Sequence, residues 1–348
     1  MKTNEDAPIL KVLRGERGSR PPIWFMRQAG RILPEYRALK ERKTFEELLR
    51  DPELGFEVTM MPLRRLEVDA AILFTDLLVP LEAMGNPVTY KPGPVLRWTF
   101  EGEADLPRLR ERSLPEAVEV PLETARRVRA ALPPEKTLLG FLGAPWTLGA
   151  YLVEGEGSKN WSKYRAFAYR EPGTFASLME GLADVVLDFG LAQARAGCDA
   201  LQLFDSWAGV ADPTFFRERV GPSLRRIVEG LHEAGIPVIY YVNGAAGHLR
   251  TMVETGADCL GIDWRIDMAD ACRRLPEGLP VQGNLDPAAL FADPEATAGA
   301  ASRVLRGAAG RPHIFNLGHG FDPATPIAHV EALVRFLRTV EPGEGDPS

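Results

Sequence analysis

Residues 199–206 read DALQLFDS. An almost unbroken apolar body, Ala200 to Phe204, ends in an acid and a hydroxyl. Its length suits a strand, and near-continuous apolar character is what a strand covered on both faces shows. Seven other stretches share the plan: IWFMR (23–27), AAILFTD (70–76), TLLGFLGAP (137–145), PVIYYVN (237–243), CLGIDW (259–264), PVQGNLD (280–286) and HIFNLGHG (313–320). Helical patterns lie between them. Phe175, Leu178, Met179, Leu182, Val185, Val186 and Phe189 follow helical spacing. Asp51-Pro52, Asp212-Pro213, Asp293-Pro294 and Thr325-Pro326 each place an N-cap residue before a proline at the first helical position. Eight strands alternating with helices predict an α/β chain. The expected form is a single (β/α)8 TIM-type barrel over residues 1–340, one catalytic domain. A doubly wound sheet is the alternative, disfavoured because no GxGxxG or GKS/T loop is present. PVTYKPGPVLRWTF (87–100) alternates around Pro-Gly and predicts a hairpin inserted after the second strand. Residues 341–348 read as a disordered tail.

Composition narrows the function. The 348 residues carry a net charge of −7, which argues against a general binder of nucleic acid or membrane surfaces. No apolar run approaches the ~18 residues of a membrane span, and the first twenty residues show no apolar signal-peptide core. Three cysteines, Cys198, Cys259 and Cys272, are too few and too odd in number for a disulfide framework and fit a reducing cytoplasm. No HxC, HExxH or CxxC spacing suggests a metal site.

In such a barrel the site lies at the C-terminal strand ends. Those ends carry Arg27, Asp76, Asp205 with Ser206, Asn243, Asp263, Asn284 with Asp286, and His319. For Asp205, Asp263 and Asp286, helix capping competes evenly with function. PIWFMRQAGR (22–31) ends an apolar run in two arginines, Arg27 and Arg31. Residues 27–43 form a positive island on an acidic protein. Arginine forks bind carboxylates or phosphates with two parallel bonds, so an anionic small molecule is the expected ligand. Gly30 would let the backbone turn between the two cations. Lys40, Arg42 and Lys43 read as a solvated face. Asp76, ending so apolar a run, should be partly desolvated and in need of a cation or N–H donors. An ion pair with a nearby arginine is the structural alternative. His319, between Gly318 and Gly320, is unshielded and reads as functional. His232, His248, His313 and His329 read as surface or packing residues.

MRQAGRILPEYR, FTDLLVP, GAPWTLGAYLVEG, FDSWAG, QGNLDP and FNLGHG occur in this order. Together, over about residues 20 to 340, they closely resemble the uroporphyrinogen decarboxylase family. The long PxWxMRQAGRxLPEYR pattern is specific to it. The resemblance implies a somewhat distorted single barrel and a homodimer, with neither metal nor organic cofactor. It also implies decarboxylation of the four acetates of uroporphyrinogen III to methyls, giving coproporphyrinogen III and four CO2 in haem and tetrapyrrole biosynthesis. By motif, Arg27 and Arg31 would bind substrate carboxylates, and Gln28, Ala29 and Gly30 would belong to the same binding loop. Asp76 would bind the pyrrole N–H groups and stabilise a protonated pyrrole. Tyr151, Ser206 and His319 would line the cleft. Arg27 and His319 are the candidate general acids. Two other readings compete: a zinc- or cobalamin-dependent methyltransferase of the same superfamily, and a non-catalytic porphyrinogen carrier.

Overall fold

The computed structural model describes residues 5–90, 93–111 and 116–340. Nine strands are present among them: β1 Ala70–Ile72, β2 Val88–Tyr90, β3 Pro94–Leu96, β4 Thr137–Gly143, β5 Ala200–Asp205, β6 Val238–Val242, β7 Cys259–Ile262, β8 Val281–Leu285 and β9 His313–Leu317. Seven of them form one curled parallel sheet in the order β1-β4-β5-β6-β7-β8-β9. The inserted hairpin is β2 paired with β3, and its 91–92 tip lies outside the described residues. The expected tail at 341–348 lies outside them as well.

Alternation along the strands explains why they read as apolar throughout. Ala70, Ile72, Leu139, Ala200, Ile239, Tyr241, Cys259 and Ile314 point to one buried cluster together with Trp24 and Met26. Ala71, Leu138, Leu201, Leu203, Tyr240, Leu260 and Phe315 point to the other, against the surrounding helices. Successive strand side chains face opposite ways, so both faces need apolar residues when both are covered. The short helix Pro8–Leu13 adds Ile9, Val12 and Leu13 to the inner cluster at the N-terminal end of the strands. Inside, the Trp24 indole donates to Gln282 (2.8 Å), and Gln282 donates to Gln202 (3.0 Å), so these buried amides satisfy one another.

The first expected strand, IWFMR, departs from expectation. It is not a full strand but a single parallel bridge, Ile23 to Phe315. It still occupies the eighth position. Phe315 N–H donates to Pro22 on the β9 side (2.9 Å), and Asp69 N–H donates to Ile23 on the β1 side (2.7 Å). Two reasons shorten it. Pro21 and Pro22 have no N–H to give a ladder, and Arg27 turns the chain into the left-handed region. The Ile23 N–H goes instead to the Asp69 carboxylate (2.8 Å). Asp69 also takes a two-pronged bond from Arg20 (2.8 and 2.9 Å) and lies near Arg338 and Lys136. Burial raises its pKa, but the Arg20 bond and charge, the Ile23 N–H and Arg338 together hold it below the ordinary value.

Asp51, Asp212 and Asp293 cap their Pro-led helices as expected. The Thr325 expectation fails. Its helix begins at Ile327 with Pro326 at the N-cap, and the Thr325 hydroxyl makes no capping bond.

The closing bond network gives a test. A buried pair broken on one side typically costs ~3–5 kcal/mol, so Asp69→Ala should lower unfolding free energy by about 3 kcal/mol in urea. The loss should begin to shrink as pH falls below about 3.8 and vanish only below the lower folded-state pKa, where the carboxylate is protonated in both states. A loss under about 0.5 kcal/mol, the scatter of surface changes, would show that Asp69 does not close the eighth position.

Candidate active site

The loop after Met26 delivers Arg27. Arg27 has φ +62°, rare for a non-glycine residue and costly by about 1–2 kcal/mol. Buried bonds hold it there. The Gln28 amide, fully buried, accepts from Phe25 N–H (3.0 Å) and donates to the Ala70 carbonyl (2.9 Å). Met26 N–H donates to Asn316 Oδ1 (3.0 Å). The Arg27 side chain lies over Gly320, where a Cβ would collide with its Cδ and Cγ. Arg27 is reached by solvent yet surrounded by protein, and burial together with Arg31 lowers its pKa. Arg31 is exposed. Neither arginine has a carboxylate partner among the described residues. Arg37 supports the loop by donating to the Arg31 carbonyl (2.8 Å).

β1 stops at Ile72, and Asp76 sits four residues beyond it in the following loop rather than on the strand. The arginine ion pair that was the structural alternative for Asp76 is not found among the described residues. Its one strong bond among the described residues comes from Leu78 N–H (2.8 Å). The buried Tyr90 hydroxyl lies nearby without a satisfactory hydrogen bond. Desolvation dominates and pushes Asp76 up to about 6, helped by Glu82 and opposed by Leu78 N–H and Tyr90.

Tyr151 comes from the helix Pro145–Glu154 and packs edge-on against Trp161 and Trp207. Burial raises its pKa. Asp76 and Arg27 both act on it, so the three lie near one another. Burial, Arg27 and Arg265 hold His319 down at about 4, so its imidazole is neutral at physiological pH in the free protein. Ser206 follows β5, is half-buried, and its carbonyl accepts from Asn243 (3.1 Å).

The structure therefore gathers Arg27, Asp76, Tyr151 and His319. Arg31 stands beside Arg27 and Ser206 beside Trp207. Ala29 is half-buried in the loop. Gln28 points away from the cleft and serves as the loop's internal clamp. Gly30 lets the backbone turn closely, as expected, since a Cβ there would lie 3.1 Å from the Arg27 carbonyl, whereas Gly318 and Gly320 are needed for want of room. None of these glycines has a left-handed φ; the left-handed residue is Arg27 itself. Gly318 and Gly320 are small because Trp264 and Arg27 lie against them. Asp205 is no cap. It is fully buried, accepts from Thr147 (2.6 Å) and Tyr240 (3.2 Å), and burial pushes it up to about 7. Asp263 accepts from Ala245 N–H and Arg265, whereas Asp286 does cap. His313 is buried and bonds the Gly283 carbonyl, as a packing residue should. The sequence reading missed Tyr241, whose hydroxyl donates to the Gly318 carbonyl (2.7 Å), and missed Trp264 and Arg265. Only the DW at the end of CLGIDW pointed toward the last two.

The clamp is testable. Gln28→Ala strands a buried N–H and a buried carbonyl, so about 1–3 kcal/mol should be lost in urea unfolding. Gln28→Glu should be no better, since it sets an acceptor against the Ala70 carbonyl. Losses under about 0.5 kcal/mol in both would mean the Arg27 turn is held by other contacts.

Comparison with known proteins identifies the family. The family "Uroporphyrinogen decarboxylase (URO-D)" matches residues 4–340. The uroporphyrinogen decarboxylase of Rhizorhabdus wittichii is 46% identical over 344 residues, covering 96% of this chain and 98% of that protein. That of Geobacter metallireducens is 44% identical over 324 residues, covering 93% and 95%. In fold, a methyltransferase from Methanosarcina mazei superposes with TM-score 0.79 at 18% identity, covering 97% of this chain and 99% of that one. The chain belongs to the uroporphyrinogen decarboxylase family.

Proposed function

We propose that this cleft converts the four acetate side chains of uroporphyrinogen III to methyls, releasing four CO2 and leaving coproporphyrinogen III. One observation carries the reading: Asp76 is desolvated without a cation, while Arg27 and Arg31 stand without acids. A porphyrinogen supplies both complements. Its eight carboxylates suit arginine forks. Its sp3 bridges let four pyrrole N–H groups converge on one acceptor, Asp76.

Each step then needs one proton and an electron sink. A proton added to the ring carbon beside the acetate makes an iminium-like pyrrole cation. The acetate C–C bond breaks, its electron pair enters the ring, and CO2 leaves. Protonation of the resulting methylene and loss of the ring proton give the methyl group, with one proton consumed overall. The pyrrole is its own sink, so the scheme calls on neither metal nor organic cofactor. Asp76, oriented by Leu78 N–H before the reaction begins, stabilises the cation. Arg27 and Arg31 hold carboxylates, Ala29 and Gly30 shape the loop, and Tyr151 and Ser206 line the ring. His319 is neutral in the free protein; incoming carboxylates offset Arg27 and raise its pKa, which makes the imidazole the proton donor. The protein works as a homodimer of single-domain subunits in the cytoplasm. No helix among the described residues is long and apolar enough to cross a membrane.

Asp76→Asn should lower kcat by about 10²–10³, the usual weight of one preorganised electrostatic group, while substrate affinity falls less. Stability should move the other way. A carboxyl whose folded pKa is raised from 3.8 to about 6 costs stability once both states ionise, above about pH 6, and costs nothing below about pH 3.8. The Asn variant should therefore melt at or above the wild-type temperature at pH 7.5, the difference closing by pH 4. An Asn variant with near wild-type kcat would remove Asp76 from the mechanism. In anaerobic assays kcat/KM should fall on acidification with a midpoint near 6, because only ionised Asp76 is competent. Exhaustive chelation should leave activity intact; a loss that zinc alone restores would favour metal chemistry instead.

A further inference from the structure

We propose that Arg265 is a further carboxylate-binding post of this cleft, gripping a side chain whose carboxyl survives the reaction. The inference rests on the decarboxylase reading above. Arg265 follows β7, on the same rim as Arg27 and His319. Its Nη1 donates to Asn243 (2.6 Å) and to Asp263 (2.7 Å). Its guanidinium lies 4.1 Å from the centre of the Trp264 ring, and that ring meets His319 edge-on at 5.8 Å. Three supports thus fix one nitrogen and the plane of the group. The Nε and Nη2 edge, the one suited to a two-pronged carboxylate bond, has no protein partner among the described residues.

Burial separates this pair from an ordinary surface salt bridge. The Asp263 side chain is 0% exposed, and its other oxygen is taken by Ala245 N–H, while Arg265 is 48% exposed. The acid is therefore spent on anchoring, and the arginine's open edge faces solvent beside His319. An arginine with its orientation already fixed loses little freedom on binding, which favours affinity. The field of Arg265 reaches both His319 and Tyr241, as does that of Arg27. His319 thus feels two cationic groups, Arg27 and Arg265.

Chemistry decides which carboxylate Arg265 takes. An acetate about to lose CO2 must release its charge into the ring. A tight two-pronged bond would stabilise the reactant more than the transition state and slow the step. A post this rigid therefore suits a propionate, which keeps its charge through all four steps and remains in the product.

The test compares Arg265→Lys with the neutral pair Arg265→Gln/Asp263→Asn. Lysine can still meet Asp263 but cannot present the fork; the double variant avoids a buried unpaired acid. In both, KM should rise about tenfold, the difference between a two-pronged and a single contact, with kcat within about twofold and melting temperature near wild type. Inhibition by coproporphyrinogen III, which carries only propionates, should weaken by the same factor. Unchanged KM in both variants would overturn the proposal. So would a rise in KM without weaker product inhibition, or a fall in kcat and melting temperature in both variants that marks Arg265 as structural. A wild-type protein that releases no CO2 from uroporphyrinogen would instead remove the decarboxylase reading.

Discussion

Everything in the cleft depends on the buried Gln28 amide. It bonds Phe25 on its own loop and Ala70 at the start of β1, and so ties the end of the eighth barrel position to its neighbour. With Asn316 holding Met26 from β9, the turn is fixed from both sides. That fixation makes a left-handed Arg27 tolerable. The strain is offset by buried hydrogen bonds that no other local conformation would complete. The arginine then lies across Gly320 with its charge beside His319 and within reach of Tyr151. A segment too short to be a strand is what permits this, because its N–H and carbonyl groups are shared with Asp69 and Pro22 to Phe315 instead of a regular ladder.

The second constraint is charge left uncompensated. Several buried charges elsewhere are paired, as at Asp69 with Arg20 and Arg129 with Asp199, while the buried Asp205 is held by hydroxyls. In the cleft Asp76 is held by Leu78 N–H, and Arg27 and Arg31 have no acid partner among the described residues. Like charges at Arg27 and Arg31 and a desolvated carboxylate are individually unfavourable. In the proposed reaction the substrate completes them, and perturbed groups of this kind cluster where a site spends stability for function. The same logic separates Arg265, whose charge is anchored by Asp263 while its outer edge remains open, from the surface arginines that close on neighbouring glutamates.

Much of this was legible in the sequence. Six of the eight strand bodies lie where the apolar runs put them, because both sheet faces are covered and the runs cannot be confused with amphipathic helices. The helix starts at Asp51, Asp212 and Asp293 were readable because capping is local chemistry. IWFMR was misjudged as a regular strand because two prolines before it and one left-handed residue after it shorten the ladder. Apolar character alone reports burial, not pairing. AAILFTD was read too long for a like reason: β1 ends at Ile72, and Leu73 to Asp76 are a loop whose Leu73 and Phe74 are apolar because they pack on the core. In the site, Arg27, Asp76 and His319 stood out as polar ends on apolar runs. Gln28 could not be told from a ligand contact, since a buried amide clamp and a cleft residue look alike in one dimension. Arg265 was hidden because its three supports, Asn243, Asp263 and Trp264, come together only through the β6–β7 pairing and the fold of the loop.

The central claim is that Asp76 is a carboxylate desolvated without a cation. It is most directly tested by infrared titration of the free protein, following the protonated carboxyl band that Asp76→Asn removes from the difference spectrum. A midpoint near pH 6 is expected, set by desolvation that outweighs Leu78 N–H and Tyr90. A midpoint at or below about 4, the ordinary aspartate value, would show that a cation or several donors already hold the charge and would contradict the account.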